Sequence, residues 1–276
     1  MVESYSFTSI NPGQNTLILW SIHGDEVCGS IAIDRVINEI RLGVIEIIKW
    51  SVTFIPRANA IAFKKWIRQD CYNLNRIFWP REIISSEHMI AKIIETYIQQ
   101  SSFVLDLHST HTHDDPFIIL ESNWVVAKKF VDESPFQNIL LDWEKLYWES
   151  ESMDTIAYAS SKSIPWVTIE CWEHQSPSSI DNALQAIYFA LWYFWHINNQ
   201  TKSYFSWIKM RVSVKEIIHR PSMAKFSKTW RNFDTIQKGE LIWTSEDWNH
   251  IAPYAGHIII PKPEWFVGEE WYYLGI

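Results

Sequence analysis

The chain has 276 residues, of which 47% are hydrophobic, with a formal net charge of −8 and a pI near 5.7. That length and apolar content suffice for one large domain, or a domain with a small appendage, built on a proper core. The acidic balance and the lack of any basic tract exclude nucleic acid as a partner, because phosphate binding needs a basic surface.

In chain order, residues 1–15 lack a charged-then-apolar leader pattern. Residues 16–22 read as a buried strand and 27–41 as a helix, with Ile31, Ile33, Val36, Ile37 and Ile40 on its apolar face. Residues 51–55 form a second strand ended by Pro56. Residues 57–80 hold no sustained period and read as a long loop with a helical turn near 60–65; loops of that length inside a domain are usually functional. Ser85 and Ser86 cap a helix that runs to Gln99. Strands follow at 103–107 and 117–120, a helix at 124–131, a further helix around 153–160, a strand at 167–170 and a strongly apolar helix from about 178 to 198. The most apolar stretch, 183–197, is interrupted by Gln185 and His196 and is too short to span a bilayer, so no membrane association is expected. Alternating strands and helices imply an α/β fold, a mixed central sheet flanked by helices, with functional groups at the carboxyl ends of the strands. Beyond residue 199 short alternating runs separated by Lys238-Gly239, Ala255-Gly256 and Val267-Gly268 predict a small β domain, giving a division into 1–200 and 201–276.

Cys28, Cys71 and Cys171 make no even disulfide framework and no Cys-x-x-Cys pair, which fits a reducing compartment and a cytoplasmic protein. A small buried cysteine is the plain reading of Cys171, despite His174 nearby, since a nucleophile needs an oriented base. The run His111, His113, Asp114 and Asp115 reads as a solvated turn rather than a rival metal cluster.

The composition holds 17 Trp against 8 Gly, and no Gly stands between Gly43 and Gly239, where twelve of the Trp lie. At the usual ~7% glycine frequency such a gap has a chance of roughly one in a million. Trp50, Trp172 and Trp248 stand at helix ends and turns where the backbone favours φ > 0, which Gly adopts and Trp does not. One codon explains this: UGA means Trp in some genetic codes and Gly in others, so many of these Trp are expected to be Gly in the living organism.

The stretch Ser21-Ile22-His23-Gly24-Asp25-Glu26 joins the first long strand to its helix. His-x-x-Glu sets an imidazole and a carboxylate one turn apart, close enough for a single metal ion, and zinc accepts both. His108, at the end of the strand 103–107, is the expected third ligand.

These residues fall into an ordered series: His23-Gly24-Asp25-Glu26, Asn59-Ala60, Arg68 leading to Asn73-Leu74-Asn75-Arg76-Ile77-Phe78, Asp106-Leu107-His108-Ser109, and Thr168-Ile169-Glu170-Cys171. The series resembles the succinylglutamate desuccinylase/aspartoacylase family, a branch of the zinc carboxypeptidase superfamily, through most of residues 16–180. The resemblance implies one zinc ion per chain held by His23, Glu26 and His108, with a fourth position for water. It makes Glu170 the general base, Arg68 the group that polarises the scissile carbonyl, Asn75 and Arg76 the holders of the substrate carboxylate, and Asp106 a partner that orients a ligand. It also places Gly where Trp20, Trp172, Trp243 and Trp265 stand. Two departures bear on the substrate. Asn73 replaces a common aspartate, and Ser160 stands where aspartoacylases carry an arginine, so N-acetylaspartate is not expected.

The implied activity is that of a zinc-dependent amidohydrolase removing an acyl group from an N-acyl amino acid or similar small amide. The rivals are a zinc carboxypeptidase acting on short peptides, and a non-catalytic binding protein whose cleft Trp172 plugs.

Overall fold

The computed structural model describes residues 2–78, 82–111, 115–121, 124–147, 153–174, 176–198, 208–246, 248–263 and 265–276. The strands are β1 (Tyr5–Thr8), β2 (Asn15–Trp20), β3 (Ser51–Ile55), β4 (Phe103–Thr110), β5 (Phe117–Leu120), β6 (Asn138–Leu141), β7 (Trp166–Glu173), β8 (Met210–His219), β9 (Lys225–Phe226), β10 (Thr235–Ile236), β11 (Leu241–Thr244), β12 (Asn249–Ile251), β13 (Gly256–Ile259) and β14 (Glu270–Gly275). The helices are α1 (Cys28–Arg41), α2 (Ala60–Lys65), α3 (Ser86–Gln99), α4 (Val125–Glu133), α5 (Thr155–Ser161) and α6 (Pro177–Tyr193).

Eleven strands form one mixed sheet in the order β1-β3-β2-β4-β7-β5-β6-β8-β14-β13-β10, and β12-β11-β9 form a second, three-stranded sheet. At the centre, β2, β4 and β7 run parallel, and β4 is buried along its whole length. Parallel strands covered on both faces must be apolar on both, which explains why the period-2 signal is absent there. Alternate residues feed two cores. Ile18, Phe103, Leu105, Val167 and Ile169 pack with α1, α4 and α6, whereas Leu17, Leu19 and Val104 pack with α3 and α5. On α1 the buried face is Cys28, Ala32, Ile33, Val36 and Ile37, while Ile31, expected on that face, is exposed. Each fully buried aliphatic side chain contributes about 2 kcal/mol of transfer free energy, which outweighs the modest propensity of β-branched residues in this helix.

Several elements escape the sequence pattern. β1 is antiparallel to β3 at the sheet edge, and β6 lies in a stretch without clear period. The first stretch of the expected small β domain is a ten-residue strand, β8, which pairs in parallel with β6, so the later strands continue the central sheet. They also bury a third cluster of their own, including Trp230, Ile236, Ile242, Trp271 and Leu274.

Among the described residues, ten other than glycine have positive φ, and four of them are tryptophan: Trp50 at 40°, Trp66 at 55°, Trp172 at 110° and Trp195 at 60°. Trp66 and Trp195 each close a helix in the left-handed conformation, with the next amide donating back into the last turn (Ile67 to the Ala62 carbonyl at 3.2 Å, His196 to the Leu191 carbonyl at 2.8 Å). That is the position at which helices commonly end in glycine. Trp248, expected at such a turn, is not among the positive-φ residues.

Candidate metal centre

The centre is built where β2, β4 and β7 end side by side. Their registers match Trp20 with Leu107 and His108 with Glu170, so the loop after β2 and the ends of β4 and β7 converge on one place. Gly24 permits the approach: a Cβ there would lie 2.2 Å from the Ala62 backbone, so no other residue lets this loop sit against α2. Its amide donates to the Arg68 carbonyl at 3.1 Å, tying the first motif to the long loop. Buried Glu87 on α3 secures that loop further by accepting from the amides of Asp70 and Cys71 at 3.2 and 2.9 Å.

The candidate ligand atoms of His23, Glu26 and His108 all lie within 4.8 Å of one another, and all three residues are buried. Glu26 stands between the imidazoles, with Oε1 2.6 Å from His23 Nδ1 and Oε2 3.1 Å from His108 Nδ1. The Ser109 amide donates to the same Oε2 at 3.2 Å. His108 Nε2 faces Asp106 Oδ1 at 3.2 Å, an outer carboxylate that fixes the ring, and Asp106 accepts a hydrogen bond from the Thr155 hydroxyl. His23 Nε2 faces Asn73 Oδ1 at 3.2 Å.

Electrostatics support a cation here. Burial, aided by the Arg68 charge, lowers the His23 pKa to about 3, so this imidazole is a neutral donor. Burial opposes ionisation of Glu26 too, but the two imidazoles outweigh it and hold the carboxyl well below its ordinary range. For His108 burial is outweighed by Asp106 and Glu26, and its pKa rises well above the usual value. A proton held between two carboxylates marks where the cluster seeks positive charge. Two imidazoles, one carboxylate and an outer carboxylate on a histidine form the donor set of a catalytic zinc site, and the residues present fit that ion.

Glu170 sits beside His108. It opens partly onto the cleft, and its Oε2 is covered and without a hydrogen-bond partner among the described residues. Burial raises its pKa to about 8, partly offset by His108. Arg68, a third exposed, brings Nη1 to 3.8 Å from Glu26 Oε1. Asn75 and Arg76 occupy a short 3₁₀ turn, Leu74–Arg76, on the same cleft; Asn75 Oδ1 accepts from the Thr155 amide at 3.2 Å. Arg76 is held by Glu270 at 3.5 Å and lies over the Tyr147 ring at 5.0 Å. All seven predicted site residues therefore meet in one cleft.

The cleft also has walls that the motifs did not name. Asp154 and Thr155 come from the start of α5, Lys262 from the connection between β13 and β14, and Glu270 and Tyr273 from β14. Burial lowers the Lys262 pKa to about 8, with Glu270 opposing. Their sequence surroundings carry no spacing signal; only the pairing of β8 and β14 brings them here. Trp172 is not among the residues lining the cleft, whereas Trp265 is, which counts against the rival reading of a cleft plugged at 172. Cys171 is fully buried, its thiol pushed well up by burial, while the His174 ring turns to Ser109; this disposes of the nucleophile reading. Of the rival acidic-histidine run, His113 and Asp114 lie outside the described residues.

Comparison with known proteins agrees with the motif series. Residues 12–132 match the family model described as the succinylglutamate desuccinylase/aspartoacylase catalytic domain. The fold is shared with the ectoine utilization protein EutE from Ruegeria pomeroyi, solved with product bound, at a TM-score of 0.80 and 15% identity over 99% of this chain and 88% of that one. It is shared equally with succinylglutamate desuccinylase from Vibrio cholerae (TM-score 0.76, 19% identity, 96% and 81% covered). An aspartoacylase family protein from Mesorhizobium loti gives a TM-score of 0.74 at 18% identity, with 99% and 88% covered. No curated protein matches the chain in sequence.

Proposed function

We propose that this chain, whose residues 12–132 belong with the succinylglutamate desuccinylase/aspartoacylase family, is a zinc-dependent amidohydrolase that removes the acyl group from an N-acyl amino acid or a similar small amide. The observation that carries the reading is the meeting of His23, Glu26 and His108 with a Glu170 oxygen beside them that has no hydrogen-bond partner among the described residues, at the ends of adjacent strands.

A zinc ion held by His23, Glu26 and His108 would supply Lewis-acid charge and make water acidic near neutral pH. Glu170 takes the proton of the attacking water at its carboxylate and returns it to the departing amine, a task suited to a carboxyl whose pKa lies near the working pH. The Arg68 guanidinium, aimed at the same region as the Glu26 carboxylate, stabilises negative charge developing on the scissile carbonyl oxygen. Asn75 and Arg76 hold a substrate carboxylate, for which the planar guanidinium offers two parallel donors. Asp106 orients His108.

In this proposal residues 1–200 carry the chemistry and 201–276 form the small β domain, whose own third cluster supports the division although its strands continue the central sheet, and Lys262, Glu270 and Tyr273 close one side of the cleft. Among the described residues no helix is long and apolar enough to cross a membrane. Three free cysteines fit the cytoplasm.

The test is direct. Purified protein is analysed for metal and then assayed against a panel of N-acyl amino acids and of dipeptides. About one tightly held zinc per chain with acyl-amino-acid turnover supports the reading; dipeptide cleavage alone would favour a carboxypeptidase, and no metal with no turnover would defeat both.

We further propose that Trp50, Trp66, Trp172 and Trp195 are glycine in the organism, read from UGA. Four of the ten non-glycine residues with positive φ among the described residues being tryptophan, in a chain where 17 of 276 residues are, supports this. Intact mass of the protein from its native host decides it: a mass matching all 17 Trp ends the idea.

A further inference from the structure

Asp25, His111 and His174 form a second group of donors in and beside the same cleft, one atom of each lying within 4.8 Å of the others. Each follows the end of a different central strand: Asp25 after β2, His111 just past β4, and His174 just past β7. The two histidines meet through Nε2 atoms 3.3 Å apart, with ring centroids at 4.2 Å and planes at 78°. Two nitrogens bound at about 2.0–2.1 Å to one tetrahedral ion would stand about 3.3 Å apart.

The surroundings orient these donors. His174 is buried, and its Nδ1 is 2.7 Å from Ser109 Oγ. When Nδ1–H donates to that oxygen, the Nε2 lone pair faces His111, the arrangement by which an outer oxygen prepares a histidine for a metal. Asp25 Oδ1 is buried without a hydrogen-bond partner among the described residues, so a carboxylate oxygen is stripped of water and unmatched next to two imidazoles. Ser109 links the two groups, since its amide holds Glu26 while its hydroxyl meets His174.

We infer that Asp25, His111 and His174 bind a second divalent transition-metal ion, a zinc-class cation taking two imidazoles and one carboxylate. Its part in the reaction rests on the proposed hydrolase function, although its ligands do not: it gives the cleft a fixed positive charge for a second anionic group on the substrate, where Ser160 supplies no arginine. Exposed His111 and the nearby Arg68 charge make this site weaker than the one at His23, Glu26 and His108.

The test is titration of chelator-stripped full-length protein with cobalt(II) alone, followed by calorimetry and by visible absorption. Two equivalents are expected, the second at least about tenfold weaker. Asp25→Asn, which keeps the side-chain shape, and His174→Gln should each abolish the weaker equivalent and retain the tighter one, while Glu26→Gln abolishes the tighter one. A single equivalent that survives Asp25→Asn overturns the second site and leaves the hydrolase reading standing. No uptake in any variant overturns both. Circular dichroism of each variant checks folding, and Asp25→Asn carries the test if His174→Gln unfolds.

Discussion

Replacing Trp172 and Trp166 by glycine, one at a time, separates a tryptophan that the backbone tolerates badly from one that the core requires. Trp172 has φ 110°, its Nε1 is buried without a partner among the described residues, and its side chain is half-buried. Strained backbone of this kind costs about 1–3 kcal/mol, and an unmatched buried N–H costs about 1–3 kcal/mol more. Trp172→Gly removes both penalties, a gain of about 2–6 kcal/mol from these two sources. Against it stand the lost indole contacts, about 2 kcal/mol for a half-buried ring, and about 0.5–1 kcal/mol of glycine backbone entropy. The variant should thus lie between about 1 kcal/mol less and about 3.5 kcal/mol more stable.

Trp166 is the contrast, fully buried in β7 with Nε1 donating to Ser160 Oγ at 2.7 Å. Deleting such a ring costs about 3–5 kcal/mol, and glycine in a strand adds about 0.5–1. The two variants should differ by at least about 2.5 kcal/mol in urea unfolding monitored by circular dichroism. If Trp172→Gly destabilises the protein to within about 1 kcal/mol of Trp166→Gly, the backbone argument for glycine at 172 is wrong.

Other predictions follow from the same structure. Glu170→Gln should leave metal content unchanged and lower kcat by about 10²–10⁴-fold, and an undiminished rate would remove Glu170 as the base. Arg76→Met should raise KM for acyl amino acids about tenfold or more with a smaller effect on kcat, since it deletes a carboxylate partner; an unchanged KM would place the substrate carboxylate elsewhere. Burial raises the Glu144 pKa to about 7 against the Ser160 hydrogen bond, with Glu121 and Asp154 adding to the rise. The folded state therefore holds this proton more tightly than the unfolded chain, and stability falls as pH rises from about 4.5 toward 7. Glu144→Gln should flatten that slope and stabilise the protein at pH 8, measured by thermal unfolding across pH; a slope identical in both proteins would count against it.

The sequence alone picked out the residues that meet at the centre. His23, Glu26 and His108 lie at strand ends that local apolar runs identify, while the close approach that requires Gly24 shows only in the fold. The helices α1, α3 and α6 were legible because their buried faces repeat at three and four residues, a property of the chain within a few turns. Tertiary structure decided what depends on distant partners. Edge strand β1 and the four-residue β6 have too little local pattern to announce themselves, and gain their form from pairing with β3, β5 and β8. Glu270 and Tyr273 enter the cleft only because β14 pairs with β8, and β8 with β6, and Lys262 follows from the same closing strands. Asp25, His111 and His174 are separated by 86 and 63 positions in the chain, and become neighbours because β2, β4 and β7 lie parallel and end together. Spacing along the chain reports which side chains share a helix face or a strand face; adjacency across a parallel sheet is set by crossover connections, and these leave no periodic trace.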